Sequence, residues 1–138
     1  MPDHDPRITV VNDHPQFLEM MHELLQEDSG YEVTTIDGDE IEDLEPIRRS
    51  RPELLIIDLR LRREGGLAGW AVLQAVRQDA ELSQLPIILC TGDLQGLEER
   101  AEAIARDPKV AILRKPFHVA ELEDLVRRFV GEAMRSSP

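Results

Sequence analysis

Apolar residues fall along the chain in two rhythms that take turns. Four short runs, Ile8-Thr9-Val10-Val11, Leu54-Leu55-Ile56-Ile57, Ile87-Ile88-Leu89-Cys90 and Val110-Ala111-Ile112-Leu113, are almost uninterrupted and stop abruptly on polar residues. Runs of that length predict strands buried on both faces of a parallel sheet. Tyr31 to Ile36 alternates instead and is rich in β-formers, which predicts one more strand. Between these runs the period lengthens to that of a helix. Pro15 suits a first helical turn, where its missing N–H is no loss. Phe17, Met21, Leu24 and Leu25 then form one apolar face, ended by Ser29-Gly30. Asp37 to Ser50 predicts a poorer helix, with Ile41, Leu44 and Ile47 on one side and Pro46 limiting its regularity. Trp70 to Gln78 turns Val72, Leu73 and Val76 inward. Leu94, Leu97, Ala101 and Ile104 make a sparse stripe on a charged fourth helix, and Val119, Leu122, Leu125, Val126, Phe129 and Val130 mark the last. Five strands alternating with five helices call for a parallel sheet covered on both faces.

The polar stops collect the chemistry. Asn12 and Asp13 follow the first strand, Asp58 the third, Thr91 the fourth and Lys115 the fifth. In a parallel sheet these ends share one edge, the edge at which open α/β sheets place their ligands. Asp58 ends the most apolar run, and a bare carboxylate there is costly unless something pairs with it. Asp13 and Asp58 supply the hard oxygen atoms that Mg²⁺ takes, with water completing its shell. The Thr91 hydroxyl and the Lys115 ammonium could bind a phosphoryl group beside them.

Composition narrows the field. A chain of 138 residues predicts one domain with a real core. Residues 1–6 are expected to be a flexible N-terminus, 7–131 the domain and 132–138 a flexible tail. A net charge of −12 speaks against nonspecific nucleic-acid binding and against an anionic membrane surface. The single cysteine, Cys90, excludes an internal disulfide and is expected in the core. No stretch approaches a membrane span and the N-terminus is no signal peptide, so a cytoplasmic location is expected. His4, His14, His22 and His118 show no ligand spacing, and Trp70 and Tyr31 offer no stacking platform for nucleic acid.

Taken together, the acidic turn Val-Val-Asn-Asp-His-Pro, the strand-terminal Asp58, Thr91 in Leu-Cys-Thr-Gly-Asp and Lys115 in Arg-Lys-Pro-Phe resemble the receiver domain of two-component response regulators over residues 7 to 130. The resemblance implies a flavodoxin-like (βα)₅ fold, a doubly wound five-stranded parallel sheet in the order 2-1-3-4-5. It implies a single-domain response regulator that accepts a phosphoryl group on Asp58 from a sensor histidine kinase or histidine phosphotransfer protein. Signalling would then run through contacts with a downstream protein, with no chemistry beyond self-phosphorylation and self-dephosphorylation. Mg²⁺ would be bound by Asp13, Asp58 and the backbone carbonyl of Arg60, with Asn12 acting through water. Thr91 and Lys115 would hold the phosphoryl oxygens. In such domains the peptide bond before Pro116 is often cis, and the residues two beyond the acceptor and two beyond the threonine line the path of the hydrolytic water. Here those are Arg60 and Asp93, of opposite charge.

Three departures stand beside these matches. Asn12 replaces the first of the family's two acids, which lowers the expected Mg²⁺ affinity. Ile112 occupies the switch position, commonly aromatic, three residues before the lysine. The loop from Asp58 to Gly69 is longer than usual, lacks its customary proline and carries Arg62 and Arg63, expected in a solvated turn. Asn12 and Ile112 keep a second reading open, a receiver-like interaction module that is never phosphorylated. A haloacid-dehalogenase-type phosphatase would need an acid where Arg60 stands. A Rossmann binder would need glycines where Asn12-Asp13-His14-Pro15 stands.

Overall fold

The computed structural model describes residues 5–61 and 69–136. The expected strands form in place: β1 (Arg7–Asn12), β2 (Glu32–Asp37), β3 (Leu54–Ile57), β4 (Ile87–Thr91) and β5 (Val110–Arg114). All neighbours run parallel, and the order is β2-β1-β3-β4-β5, the doubly wound arrangement expected. Ile8 lies opposite Leu54 and Val11 opposite Ile57, so the third strand is central and covered on both faces. Alternation sorts its side chains. Leu54 and Ile56 join Ile8, Val10, Met21, Leu122 and Val126 on one face, while Leu55 and Ile57 join Val11, Ile47, Val72 and Val76 on the other.

Helices α1 (Pro15–His22) and α6 (Val119–Ser136) cover the first face. Helices α2 (Glu45–Ser50), α3 (Gly69–Gln78), α4 (Leu94–Glu99) and α5 (Ala101–Ala105) cover the second. The strands' carboxyl ends therefore open at one edge between two helical layers, and β3 delivers Asp58 there.

Four local departures from the sequence pattern have local causes. The first helix continues as a π-helical turn, Glu23–Glu27, before Gly30 stops it at φ 79°, a left-handed conformation that suits glycine. The Gln26 side chain in that turn accepts the Val33 N–H and ties the helix to β2. The expected helix from Asp37 to Ser50 shrinks to a 3₁₀ turn, Gly38–Glu40, and α2, because Pro46 is tolerated only in a helix's first turn. The fourth helix divides at Arg100, and its expected apolar stripe is only half inside: Leu97 and Ile104 are buried, whereas Leu94 is 60% exposed and Ala101 is also exposed. Finally, α6 runs through Ser136, so the tail expected to be flexible from residue 132 is helical to that point. Gly131 costs a helix only about 1 kcal/mol, and Glu132 to Arg135 are strong helix formers. At the other end the Pro6 carbonyl accepts the Glu32 N–H. Residues 1–4, Arg62, Arg63 and most of the loop from Asp58 to Gly69 lie outside the described residues.

Candidate functional site

Among the described residues the polar residues buried as a whole are Thr9, Asn12, Asp58 and Thr91. Thr9 bonds Ser50 at 2.6 Å and ties β1 to α2. The other three lie at the carboxyl edge of the sheet. No fully buried side-chain nitrogen or oxygen among the described residues lacks a hydrogen-bond partner, so each of these burials is compensated.

Asp58 is held by both of its oxygens. Oδ1 accepts the Arg60 N–H at 3.0 Å, and Oδ2 accepts from Lys115 Nζ at 2.9 Å. The pair is mostly sheltered, with the carboxylate side chain 12% exposed and the lysine 26%. The carboxylate at the end of the central strand is thus paired with the Lys115 ammonium. Lys115 is brought there by β5, where its N–H donates to the Thr91 carbonyl at 2.9 Å, and its bond to Pro116 is cis. The Thr91 hydroxyl oxygen accepts the Asp93 N–H at 3.1 Å.

Asn12 and Asp13 make the turn from β1 into α1. Asn12 Oδ1 accepts the His14 N–H at 2.9 Å, a local side-chain bond typical of Asn in turns. The Asp13 side chain is only 3% exposed, and its Oδ1 lies 3.6 Å from His14 Nε2. Among the described residues no group of three or more His, Cys, Asp or Glu gathers as a metal cluster. Asp13 and Asp58 nevertheless present two sheltered carboxylates at one edge. That donor set suits Mg²⁺, which prefers one or two carboxylates and keeps several waters.

Arg60 and Asp93 meet at the rim, with Arg60 Nε donating to Asp93 Oδ2 at 2.8 Å. The other oxygen, Oδ1, caps α4 by accepting the Gly96 N–H at 2.9 Å. The Gly96 N–H, and after it the Arg60 guanidinium, hold the Asp93 carboxyl below the usual carboxylate range. Cys90 lies in the core beneath the site, where burial pushes its thiol up to about 12 and leaves it inert. Ile112 is half-buried against the cluster that includes Leu97 and Ile104.

Three contributors were not legible in the sequence. A Cβ on Gly69 would fall 1.7 Å from the Asp58 carbonyl oxygen, so only glycine lets α3 start against the end of β3. A Cβ on Gly96 would lie 2.3 Å from Asp93 Oδ2, so this glycine makes room for the rim ion pair. A glycine three residues beyond Asp93 in a charged helix was the available sign. The third is Phe17, whose ring lies under the Lys115 ammonium, 4.4 Å from Nζ to the centroid. Spacing alone placed it on the apolar face of α1.

The parallel 2-1-3-4-5 sheet with an acidic turn, a strand-end Asp, a Thr and a Lys at one edge defines a receiver of the flavodoxin-like kind. The response regulator receiver domain profile matches residues 8–127, and the chain belongs to that family of two-component signalling proteins. It is 30% identical over 128 residues to the polar-differentiation response regulator DivK of Brucella anthropi, covering 91% of this chain and 97% of that protein. The chemotaxis response regulator CheY4 of Vibrio cholerae superposes with a TM-score of 0.74 at 25% identity, over 91% of this chain and 98% of that one. The receiver domain of a sensor histidine kinase from Pseudomonas aeruginosa, solved with a magnesium ion coordinated in its active site cleft, superposes with a TM-score of 0.73 at 27% identity, over 92% of this chain and 98% of that one. Among the described residues no helix is long and apolar enough to cross a membrane.

Proposed function

We propose that this receiver domain accepts a phosphoryl group on Asp58 from a phosphohistidine of a sensor kinase or histidine phosphotransfer protein, and signals through contacts with a downstream protein. The observation that carries the reading is the two-handed grip on Asp58, by the Lys115 ammonium and the Arg60 N–H. In-line phosphoryl transfer asks mainly for positioning and charge neutralisation, and a carboxylate oriented before its donor arrives supplies the first. In the forward step a carboxylate oxygen of Asp58 forms a bond to phosphorus as the P–N bond of the phosphohistidine breaks. The bonding electron pair leaves with the ring nitrogen, as neutral imidazole when the other nitrogen carries the proton. Hydrolysis reverses the loading: a water oxygen bonds phosphorus, the acyl O–P bond breaks, and inorganic phosphate leaves Asp58 as carboxylate.

Asp13, Asp58 and the Arg60 carbonyl would hold Mg²⁺, with Asn12 reaching it through water. When bound, the ion supplies positive charge to the phosphoryl oxygens. Thr91 would donate its hydroxyl hydrogen to one phosphoryl oxygen, and Lys115 would pair with another. Arg60 and Asp93 would gate the water that ends the signal. Beyond self-phosphorylation and self-dephosphorylation no turnover is assigned, and a cytoplasmic location matches a donor of this kind.

Intact mass after incubation with acetyl phosphate and Mg²⁺ tests the assignment. One phosphoryl adduct should appear and should be absent from Asp58→Asn. An adduct that survives the substitution would overturn it. A receiver-like module that is never phosphorylated has one observation in its favour, since Asn12 brings no charge and already spends an acceptor on His14. The same assay decides against it if the adduct forms.

A further inference from the structure

Lys115 has a second neighbour in the site besides Asp58. Its Nζ lies over the face of the Phe17 ring, 4.4 Å from the centroid, while donating to Asp58 Oδ2 at 2.9 Å. The placement is built by the turn out of β1. Asn12 holds the His14 N–H, Pro15 starts α1, and the Phe17 N–H returns to the His14 carbonyl at 3.1 Å. Phe17 thus falls in the first turn of α1, above the edge to which β5 delivers the lysine. Its side chain is only half-buried, while Met21 and Leu25 of the same face fill the core. Phe17 packs against that core without being enclosed by it.

A hydrogen bond to a carboxylate is directional, whereas the negative face of a ring attracts a cation from a broad range of positions. When Asp58 takes on a phosphoryl group, the negative charge that Lys115 must meet moves outward from the carboxylate to the phosphoryl oxygens. We propose that Phe17 is a positioning residue for phosphoryl transfer, its ring holding the Lys115 ammonium in the site while that ammonium's hydrogen bond passes from Asp58 to the phosphoryl group. An aliphatic side chain would fill the same space without the ring's attraction. The role rests on the reading of Asp58 as acceptor.

The test uses the full chain with Phe17 replaced by mono-, di- and trifluorinated phenylalanine, whose rings keep nearly the same size while their faces become steadily less negative. Phe17→Tyr and Phe17→Leu accompany the series. Adduct formation with acetyl phosphate at saturating Mg²⁺ is followed by intact mass. The initial rate should fall stepwise with each fluorine, reaching roughly five-fold below wild type in the trifluorinated form and in Phe17→Leu, a loss of about 1 kcal/mol and within the usual cation–π range. Phe17→Tyr should stay within about two-fold of wild type, since a phenol keeps a negative face. The same fluorination at Phe117 should change nothing. A readout independent of transfer is the upfield ring-current shift of the Lys115 ε-protons, kept in Phe17→Tyr and abolished in Phe17→Leu. A flat rate across the series with the adduct still on Asp58, or a shift that persists in Phe17→Leu, overturns the role of Phe17 and leaves the acceptor standing. An adduct that survives Asp58→Asn removes the acceptor assignment, and this role with it.

Discussion

The rim ion pair is where one side chain serves two masters. Asp93 caps α4 with one oxygen and holds Arg60 with the other, and its own N–H is accepted by Thr91. The two partners differ in what their loss removes, because Arg60 is 78% exposed and Asp93 only 17%. Arg60→Ala should therefore shorten the lifetime of the phosphorylated form several-fold and leave the melting temperature nearly unchanged. Asp93→Ala should lower the melting temperature as well, since it also uncaps α4. Gly96→Ala should shorten the lifetime with both charges intact, because its Cβ would take the space of Asp93 Oδ2. Decay after removal of donor, measured side by side in Mg²⁺ buffer, checks all of these, and equal lifetimes would mean that the pair does not control water. Asn12 offers a separate test. Asp in its place keeps an oxygen for the His14 N–H and restores a charge beside Asp13. A unit charge about 4 Å away is worth up to about 4 kcal/mol at an effective dielectric near 20, and an intervening water cuts that to about 1–2 kcal/mol. Asn12→Asp should accordingly tighten Mg²⁺ roughly tenfold by calorimetry; unchanged affinity would take Asn12 out of the metal's surroundings.

Helix α6 shows how an amphipathic element divides its residues. Leu122 and Val126 are fully buried against the sheet, whereas Val119 at the helix's start is 41% exposed. Leu122→Ala should cost about 2–5 kcal/mol in urea unfolding, from lost transfer energy and the cavity left behind. Val119→Ala should change stability by no more than about 0.5 kcal/mol. Similar costs for the two would mean that the helix is rotated about its axis from the position described. At the other layer, α4 and α5 bury Leu97 and Ile104 and leave Leu94 outside. Leu94 is the first residue of α4, at the helix's open end, whereas Leu97 sits one turn further in over the sheet.

At the scale of the whole molecule, acidic side chains pin elements together across long stretches of sequence. Asp79 at the end of α3 receives Arg48 from α2 and the N–H groups of Glu81 and Leu82. Those contacts, the guanidinium foremost, hold its carboxyl below the usual range against the opposing effect of burial. Asp93 is depressed in the same direction by Gly96 and Arg60. A carboxyl whose folded value is lowered adds stability above its unfolded value, about 3.9, and loses it as pH falls through the folded value. Thermal melts should therefore be flat, as far as these groups matter, down to about pH 5 and should fall at lower pH. Asp79→Asn should melt lower at neutral pH, and the gap to wild type should narrow on acidification. A gap independent of pH would assign Asp79's contribution to packing instead.

The alternation of strand and helix, the central position of the most apolar run and the polar stops at five strand ends are all local matters, and the sequence alone determined them. A run such as Leu54–Ile57 can only be buried on both faces, and a parallel sheet then places every strand end at one edge. The same logic puts Asp58, Asn12, Asp13, Thr91 and Lys115 at that edge. Distances between elements were another matter. That Lys115 reaches Asp58, that Arg60 reaches Asp93 and that Phe17 lies under the lysine depends on how the strand ends, the turns beyond them and the first turn of α1 are offset along the sheet edge. That offset is set by packing across the core rather than by any residue's own preference. The need for glycine at 69 and 96 belongs to the same class, because what forbids a Cβ there is an oxygen brought close by the fold of the chain around it. Periodicity can say which face of an element is buried. Only the packed tertiary structure decides what that face, or its rim, comes to touch.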